Sequence, residues 1–493
     1  MNFGKCIWVA IVLSLQCFTA LAQEDTTQIR KKFSYSFELG GYASINQELP
    51  FWLKSNQYGA VPKSANSTYF RQQIESKTDT SAKFFHVNYC VDIMTFVGNE
   101  AKLIIPEAFL DFRFGPLSIS GGRIKGVMGL VDSTLSSGSI TWSGNALPIP
   151  EVRIAIPEYR KFIFKWLAVK GHYSHGWFGD QVTVKNSFFH QKSLYARLGK
   201  PEKKIHLYGG LLHNAQWGGS PKYTLPEGDD RLTNGKFPQD WFTYGQVVFP
   251  YQARQDSSGT YGLFEETNRF GNHIGQFDLG GTIDFKNTLL TVYKQTIFET
   301  GVTFSSLTNT DDGLYGLSLK NKKEDAVFQK VVFEFLHTLN QGAYQSGLAR
   351  LLKLEDRQYG WSTYYFNHMQ YQDGWSFKGK GIGTPFAVPE EYIKVSKKTF
   401  GSEVFLNNNR IKVGYLGAQF KLNSILLQTR MSLSRNYGSQ FVKYKPADQV
   451  SFLINSSIPL PKLKGILGVR IGIDQGELIK DNYGANISFR RNW

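Results

Sequence analysis

The stretch Tyr483-Gly484-Ala485-Asn486-Ile487-Ser488-Phe489-Arg490-Arg491-Asn492-Trp493 closes the chain and decides the fold class. Alternate residues form an apolar face that ends on Trp493 and is interrupted by Arg491, whereas the intervening positions are small or polar. A period of two over about ten residues, with an aromatic residue near the end, is typical of a strand between lipid and a polar lumen. The stretch therefore predicts the last strand of a transmembrane β-barrel.

The same alternation recurs upstream. Asp278 and Asp284 alternate with apolar residues in one stretch, and Arg430 and Arg470 do so in two later ones. Because a charged side chain is costly in lipid, we predict that these four residues line a polar lumen. A soluble β-sandwich would also alternate, with one face on a core and the other in water. The many aromatic-rich strands spread over one long chain favour the barrel.

The first 22 residues predict a secretory signal peptide. Lys5 precedes an apolar run that extends to about Ala20, and Ala20-Leu21-Ala22 fits a small-residue cleavage site. We expect cleavage after Ala22 and one barrel domain over residues 23–493. No later stretch approaches the roughly 18 apolar residues that a membrane helix needs, so a membrane span would require a closed barrel.

Charge and cysteine content narrow the class of partner. The formal net charge of +16 falls to +15 when Lys5 is lost, and Cys90 is the one cysteine of the mature chain. An internal disulfide and a cysteine-based metal site are therefore excluded. In an exported protein a basic excess favours anionic glycans or lipid phosphates over nucleic acid. We expect a monomer without metal or cofactor.

The search for enzyme motifs is largely negative. The sequence has no Gly-x-Ser-x-Gly elbow, no His-Glu-x-x-His zinc helix and no phosphate-binding loop. A hydrolase would pair Ser174 or Ser193 with a histidine such as His172 or His190, but no carboxylate has a spacing that identifies an orienting third member. These histidines fit a polar lumen or an aromatic girdle better, and we expect no enzyme activity.

Carbohydrate binding fits the loop-rich stretches better. Sugars offer apolar ring faces to aromatic side chains, while their hydroxyl and acidic groups take hydrogen bonds from polar and basic residues. Tryptophans in a barrel also form membrane-interface belts, which remains the alternative for each of them. The candidate polysaccharide-binding residues are Trp142, Asn145, His175, Trp177, His213, Trp217, Trp375, Lys378, Lys380 and Arg410.

A series of short motifs runs in a fixed order along nearly all of the mature chain. They are Pro50-Phe51-Trp52-Leu53, Asn56-Gln57-Tyr58-Gly59, Gly122-Arg123, Leu135-Ser136-Ser137-Gly138-Ser139, Asn145-Ala146-Leu147-Pro148-Ile149-Pro150, Lys170-Gly171, Ser174-His175-Gly176, His190-Gln191-Lys192-Ser193-Leu194-Tyr195, Trp217-Gly218-Gly219, Asp312-Gly313-Leu314-Tyr315-Gly316, Gly374-Trp375, Ile382-Gly383-Thr384-Pro385 and Asn408-Asn409-Arg410. In this order they resemble the Wzi family of capsule assembly proteins, outer-membrane β-barrels that act as lectins and anchor capsular polysaccharide at the cell surface.

The resemblance implies a barrel of roughly 18 antiparallel strands, with long outer loops and short helical or loop segments that plug the lumen. It also implies a capsule assembly protein of the cell outer membrane that binds an acidic surface polysaccharide noncovalently. The alternative is a porin or channel for oligosaccharides or anions. Two stretches, Asp240 to Pro250 and Ala343 to Asp356, break the strand pattern and predict short helices that cap or plug the barrel.

Overall fold

Eighteen long antiparallel strands form a closed β-barrel in the computed structural model. The structure describes residues 33–76, 84–98, 101–225, 229, 231–250, 269–301, 303, 307–354, 363–394 and 405–493. Numbered in chain order, the strands are β1 Phe33–Ser44, β2 Ser67–Ser76, β3 Phe85–Val97, β4 Lys102–Phe114, β5 Leu117–Arg123, β6 Glu151–Phe162, β7 Phe164–Asp180, β8 Val184–Leu198, β9 Ile205–Trp217, β10 Asn272–Asp284, β11 Thr288–Phe298, β12 Gly313–Asn321, β13 Phe328–His337, β14 Ile411–Leu422, β15 Ile425–Asn436, β16 Ala447–Leu460, β17 Gly465–Gly476 and β18 Asn482–Asn492.

Each strand pairs with the next along the chain, and the C-terminal strand closes the ring. Leu39 of β1 lies opposite Phe489 of β18, and the backbone of Trp493 exchanges hydrogen bonds with Tyr35. Closure leaves no exposed sheet edge, which is the condition for a sheet to sit in lipid. The predicted fold class is thereby confirmed.

The two ends of the barrel differ in the length of their connections. Very short turns join β4 to β5, β6 to β7 and β14 to β15, whereas residues 45–66, 124–150, 218–271 and 338–410 all connect strands at the opposite end. Outer-membrane barrels have short periplasmic turns and longer extracellular loops. We therefore call the end with the long connections the outer end and the other the turn end.

Residue alternation separates an apolar wall from a polar lumen. Leu279 is 67% exposed on the outer wall, while Asp278 beside it is fully buried in the interior. The wall is lined with exposed Phe, Leu, Ile and Val residues from most of the strands. Such a surface is suited to lipid, because water would make its exposure unfavourable.

Three inserted segments fill the outer half of the lumen. They contain the short helix α1 Phe51–Lys54, residues 124–150, and residues 363–394 with a small hairpin at Ser376–Phe377 and Lys380–Gly381. Trp52, Leu135 and Trp375 are at most 1% exposed and belong to one large hydrophobic cluster. We call these three segments together the plug. The plug therefore has its own apolar core inside the polar barrel.

Two further helices occupy the stretches that interrupt the strand pattern. Helix α2, Trp241–Val248, and helix α3, Gly347–Leu351, lie in the long connections of the outer end. The expectation that α2 caps or plugs the barrel is wrong, because Val247 packs with Ala215, Trp217 and Phe270 against the outer wall. Among the described residues, no helix is long and apolar enough to cross a membrane. The predicted signal peptide lies outside the described residues.

Candidate functional site

Residues 124–150, between β5 and β6, cross the lumen. Lys125 Nζ lies 2.5 Å from an oxygen of Asp92 on β3. The backbone N–H of Ser137 donates to Glu334 on β13 over 2.7 Å. These strands lie on opposite sides of the ring, so the segment spans it from wall to wall.

The plug is held by polar groups of the lumen wall. Gln276 of β10 accepts hydrogen bonds from the hydroxyls of Ser139 at 3.0 Å and Thr141 at 2.6 Å. Asp278 accepts from the backbone N–H of Leu130 at 2.8 Å. Buried polar groups need such partners, and removing one of a pair costs about 1–3 kcal/mol. The alternating polar residues of the strands therefore secure an inserted segment.

A cleft of 480 Å³ opens at the outer end, between the barrel rim and the plug. We call it the outer cleft. Four parts of the chain line it: residues 45–55, residues 379–394, residues 474–482, and Asn145 of the plug. Its volume is in the usual range of small-ligand sites.

Lys380 contributes an ammonium group to this cleft. Its Nζ donates to the carbonyl oxygen of Val61 over 2.6 Å, and it forms no ion pair within the described part of the chain. Burial, followed by the positive charges of Lys54, Lys102 and Lys63, lowers the pKa of Lys380 to about 7. The group thus lies among like charges and is poised to gain from an added anion.

The other charges around the cleft are mostly paired. Lys54 Nζ lies 3.0 Å from Glu48 Oε2 and 4.1 Å from the centre of the Tyr392 ring. Lys63 pairs with Glu391 beside that ring. The cleft therefore combines the aromatic rings of Phe51 and Tyr392, several paired charges and one ammonium group whose protein partner is a neutral carbonyl.

The floor of the cleft joins the wall to the plug. Asp474 of β17 accepts a hydrogen bond from the backbone N–H of Phe51 over 2.8 Å, which fixes helix α1. Asn145 donates to the carbonyl of Gly381 over 3.0 Å and accepts from the backbone N–H of Asn56 over 3.2 Å. Asn145 and Lys380 are thus the two sequence candidates that the structure brings together in this cleft.

Three of the candidate tryptophans lie in apolar clusters. The rings of Trp142 and Trp375 lie 6.4 Å apart in the plug, and Trp375 donates to the carbonyl of Thr141 over 2.9 Å. Trp217 is 4% exposed and stacks on Tyr244 of α2 with ring centres 5.2 Å apart. Their side chains therefore contribute to the core of the plug or of the outer wall.

The remaining candidates are dispersed around the outer end. Trp177 and His175 lie on the outer wall at the rim, with ring centres 5.2 Å apart, and the buried His213 bonds His273 at 2.9 Å. Lys378 donates to the carbonyl of Asp180 over 2.8 Å, away from the outer cleft. Arg410 precedes β14, and its backbone N–H donates to the carbonyl of Gly438.

The four charged residues predicted for the lumen lie at different heights. Asp278 and Arg430 contact the plug. The guanidinium of Arg430 donates a hydrogen bond to the backbone carbonyl of Thr134 over 2.9 Å. Arg470 lies opposite Asn455 and Asn486 on the neighbouring strands.

Asp284 lies at the turn end and pairs with Lys322. The lumen wall is therefore charged near the plug and below it, so polar side chains continue past the segments that close the barrel.

A serine and a histidine meet inside the barrel. Ser193 Oγ lies 2.7 Å from His172 Nδ1, and His172 Nε2 lies 2.8 Å from Gln191 Oε1. A neutral amide stands where a hydrolase places a carboxylate to stabilise the imidazolium. Neighbouring strand N–H groups belong to the sheet ladder and are not free to stabilise an oxyanion. We interpret the pair as a cross-strand contact of the wall.

Sequence reasoning missed most of the residues of the outer cleft. Asp474 shares the polar face of its alternating strand with Arg470, but alternation alone assigns it to the lumen and not to a binding site. Lys54, Tyr392 and Lys394 carry no local pattern that indicates a site. They come together because β17 and β18 close the ring beside the first loop. Only the contact between residues distant in sequence could have revealed them.

Comparison with known proteins identifies the fold of this chain but does not assign it to a family. No protein-family model matches the chain, and no curated protein matches it. Among solved structures, a carbohydrate-binding β-barrel of Escherichia coli, the outer-membrane protein Wzi involved in group 1 capsule assembly, is similar with a TM-score of 0.56. It is 12% identical, and the match covers 92% of this chain and 83% of that one.

Two further solved structures match less well. OccAB2 of Acinetobacter baumannii is 9% identical with a TM-score of 0.44, and the match covers 94% of this chain and 97% of that one. OpdL of Pseudomonas aeruginosa is 9% identical with a TM-score of 0.45, covering 94% and 98%. At these identities the likeness concerns the fold, and the chain has the fold of outer-membrane β-barrels.

Proposed function

We propose that this chain is an outer-membrane protein that binds an acidic surface polysaccharide noncovalently in the outer cleft. The observation that carries the proposal is Lys380, whose ammonium group lies in the cleft wall with a neutral carbonyl as its hydrogen-bond partner. A uronate carboxylate or a phosphate of a glycan supplies the counter-charge. Charge-assisted hydrogen bonds are about twice as strong as neutral ones.

The rest of the cleft suits a saccharide. Asn46, Asn145 and Asn482 line it with amide groups, and Tyr392 adds an aromatic ring. Hydroxyl-rich ligands use such amides, while the apolar face of a sugar packs on aromatic carbon. The position at the outer end makes the cleft accessible from outside the cell once the barrel is inserted with its short turns in the periplasm.

Attachment of capsule to the cell surface is the role that fits best. The ordered sequence motifs resemble the Wzi family, and the Escherichia coli barrel with the similar fold is a carbohydrate-binding protein involved in capsule assembly. Deleting the gene should shift capsular polysaccharide from the cell-bound to the shed fraction. An unchanged ratio would count against this role.

Binding itself is tested on purified protein. On an array of acidic and neutral bacterial polysaccharides, Lys380→Gln should weaken binding to acidic glycans about tenfold, the loss of one charge-assisted hydrogen bond. Lys378→Gln is the matched control, because this lysine also donates to one backbone carbonyl but lies outside the cleft. Equal losses in both variants, or equal binding of neutral glycans, would contradict the proposal.

A channel for oligosaccharides or anions is the second candidate function. A polar cavity of 350 Å³ inside the barrel favours it, lined by Glu107, Asp111, Arg113 and Arg153 toward the turn end. Residues 124–150 stand between this cavity and the outer end. Single-channel recording in a planar bilayer separates the two functions, because a plugged binding protein should give no conductance steps.

A further inference from the structure

The outer wall carries a cation at a position that faces lipid. Lys294 of β11 lies between Leu279 of β10 and Tyr315 of β12 in the strand register. Its neighbours Tyr293 and Gln295 both point into the lumen, where they bond Glu334 and the plug. Alternation therefore puts Lys294 on the lipid side. Charged residues are rare on a lipid-facing surface, and those that occur there usually belong to a functional site.

The protein satisfies this ammonium group only in part. Lys294 Nζ donates to the carbonyl of Thr310, in the connection at the outer end, and lies 4.7 Å from the centre of the Tyr315 ring. It forms no ion pair with any described residue. The nearby Asp312 is engaged by His337 at 2.9 Å. The long side chain thus reaches up the wall toward the outer end, where its charge is attracted by nearby carboxylates but is in contact with none of them.

The other nearby carboxylate is engaged as well. Both oxygens of Asp311 lie within 3.1 Å of the backbone N–H of Gly347, the first residue of α3. A carboxylate at the start of a helix is held there by the exposed N–H groups. Asp311 and Asp312 attract the ammonium group from a distance, but neither forms an ion pair with it. An ammonium group has three N–H donors, so a phosphate from outside the chain can take the donors that Thr310 leaves.

An apolar groove of 730 Å³ runs over the wall directly beside this lysine. Its floor is widened at Gly414 of β14, where an added Cβ atom would meet nothing within 4 Å. Phe335 of β13 separates Gly414 from Tyr315 in the register. The exposed side chains that line the groove are Leu279, Val292, Leu317, Phe333 and Phe335.

We propose that this groove binds a phosphorylated glycolipid of the outer leaflet, with an acyl chain in the groove and a phosphate on Lys294. An apolar slot with one cation at its upper end that forms no direct ion pair matches an amphipathic anion. The lysine reaches toward the outer end, which selects the outer leaflet. The site lies on the outside of the barrel and does not depend on the outer cleft.

A second feature marks the outer rim of the wall as the level of the membrane surface. Helix α2 packs on the outer wall near this rim, and it exposes Trp241, which is 87% exposed, with the exposed Phe249 directly after the helix. Lys192 of β8 donates to the carbonyl of Val248 at the end of this helix. Aromatic residues and snorkelling lysines collect at the level of lipid headgroups. Headgroup phosphates are therefore expected at this rim, toward which the side chain of Lys294 extends.

Native mass spectrometry of the delipidated full-length protein tests the proposal. The protein is titrated with bis-phosphorylated lipid A, with the same lipid after dephosphorylation, and with phosphatidylglycerol. Wild type should bind lipid A best, and Lys294→Gln should bind it about tenfold more weakly. Gly414→Leu should reduce binding by filling the groove. Lys421→Gln is the matched control, since Lys421 also donates to one carbonyl, at the turn end.

Heat-dependent migration on a denaturing gel verifies that each variant is folded. Unchanged binding by a folded Lys294→Gln protein would overturn the phosphate assignment, and equal binding of dephosphorylated lipid A would do the same. If phosphatidylglycerol binds as tightly as lipid A, the groove is a phospholipid site and the glycolipid assignment is wrong. Full binding by folded Gly414→Leu would remove the groove from the site.

Discussion

The pH dependence of glycan binding is the sharpest test of the outer cleft. Burial and the charges of Lys54, Lys102 and Lys63 lower the pKa of Lys380 to about 7, so the free protein is partly neutral there at physiological pH. A bound anion favours the charged form and raises this pKa again. Binding must therefore take up a proton near neutral pH, and affinity must fall as pH rises.

The size of the effect follows from the fraction of protonated protein. If the glycan binds only the charged lysine, the dissociation constant is multiplied by one plus the ratio of neutral to charged Lys380. For a pKa of about 7 the factor is about 1.1 at pH 6 and about 11 at pH 8, a tenfold loss of affinity. The carboxylates of the glycan stay ionised over this range, because their pKa values lie below about 5.

Isothermal titration of the purified protein with a uronic acid oligosaccharide at pH 6, 7 and 8 measures this slope. Lys380→Arg keeps a charge that does not titrate, so its affinity should be flat over the range. Lys378→Arg, outside the cleft, should keep the wild-type slope. A flat wild-type profile, or an undiminished slope in Lys380→Arg, would refute the assignment of the anion site to Lys380.

Three further predictions address the plug. Deleting residues 127–141 should produce conductance steps in a planar bilayer where wild type gives none; a silent deletion variant would contradict the crossing of the lumen by this segment. Trp52→Ala should lower the free energy of unfolding in urea by about 3–5 kcal/mol, because the ring is fully buried, whereas the exposed Trp241→Ala should change it by less than about 0.5 kcal/mol. Gly59→Ala should lower the urea midpoint, since a Cβ atom there would lie 2.5 Å from the backbone nitrogen of Leu147 at a φ of +63°; an unchanged midpoint would show that the two plug segments can separate at little cost.

Alternation predicted the wall of this barrel well because it is a local property. Successive side chains of a strand point to opposite faces, so Asp278 and Leu279 reveal their sides from sequence alone. The number of strands was harder to predict from the sequence. In β2 the polar Gln72 shares the outer face with Phe70 and Ile74, and β5 has only seven residues, so such strands carry a weak signal. The count of 18 came from the family resemblance.

The site was harder to predict because it depends on where the long connections fold. Trp142 and Trp375 stand beside polar residues in sequence, but their segments turn inward and need an apolar core of their own. Helix α2 is predicted from sequence to cap or plug the barrel, but it lies on the outer wall because Trp217 and Phe270 offer it an apolar surface. Local composition identifies such segments as irregular but not the side of the wall they occupy.

The two candidate functions are mutually exclusive in this architecture. Asn145 belongs to the segment that closes the lumen, and it also holds Gly381, the neighbour of Lys380, in the wall of the outer cleft. Withdrawing the plug to open a channel would therefore dismantle the saccharide site. Lys380→Gln should lose glycan binding and stay closed, whereas the deletion of residues 127–141 should gain conductance and lose binding together. A deletion variant that conducts and still binds the glycan with wild-type affinity would show that the cleft does not rest on the plug.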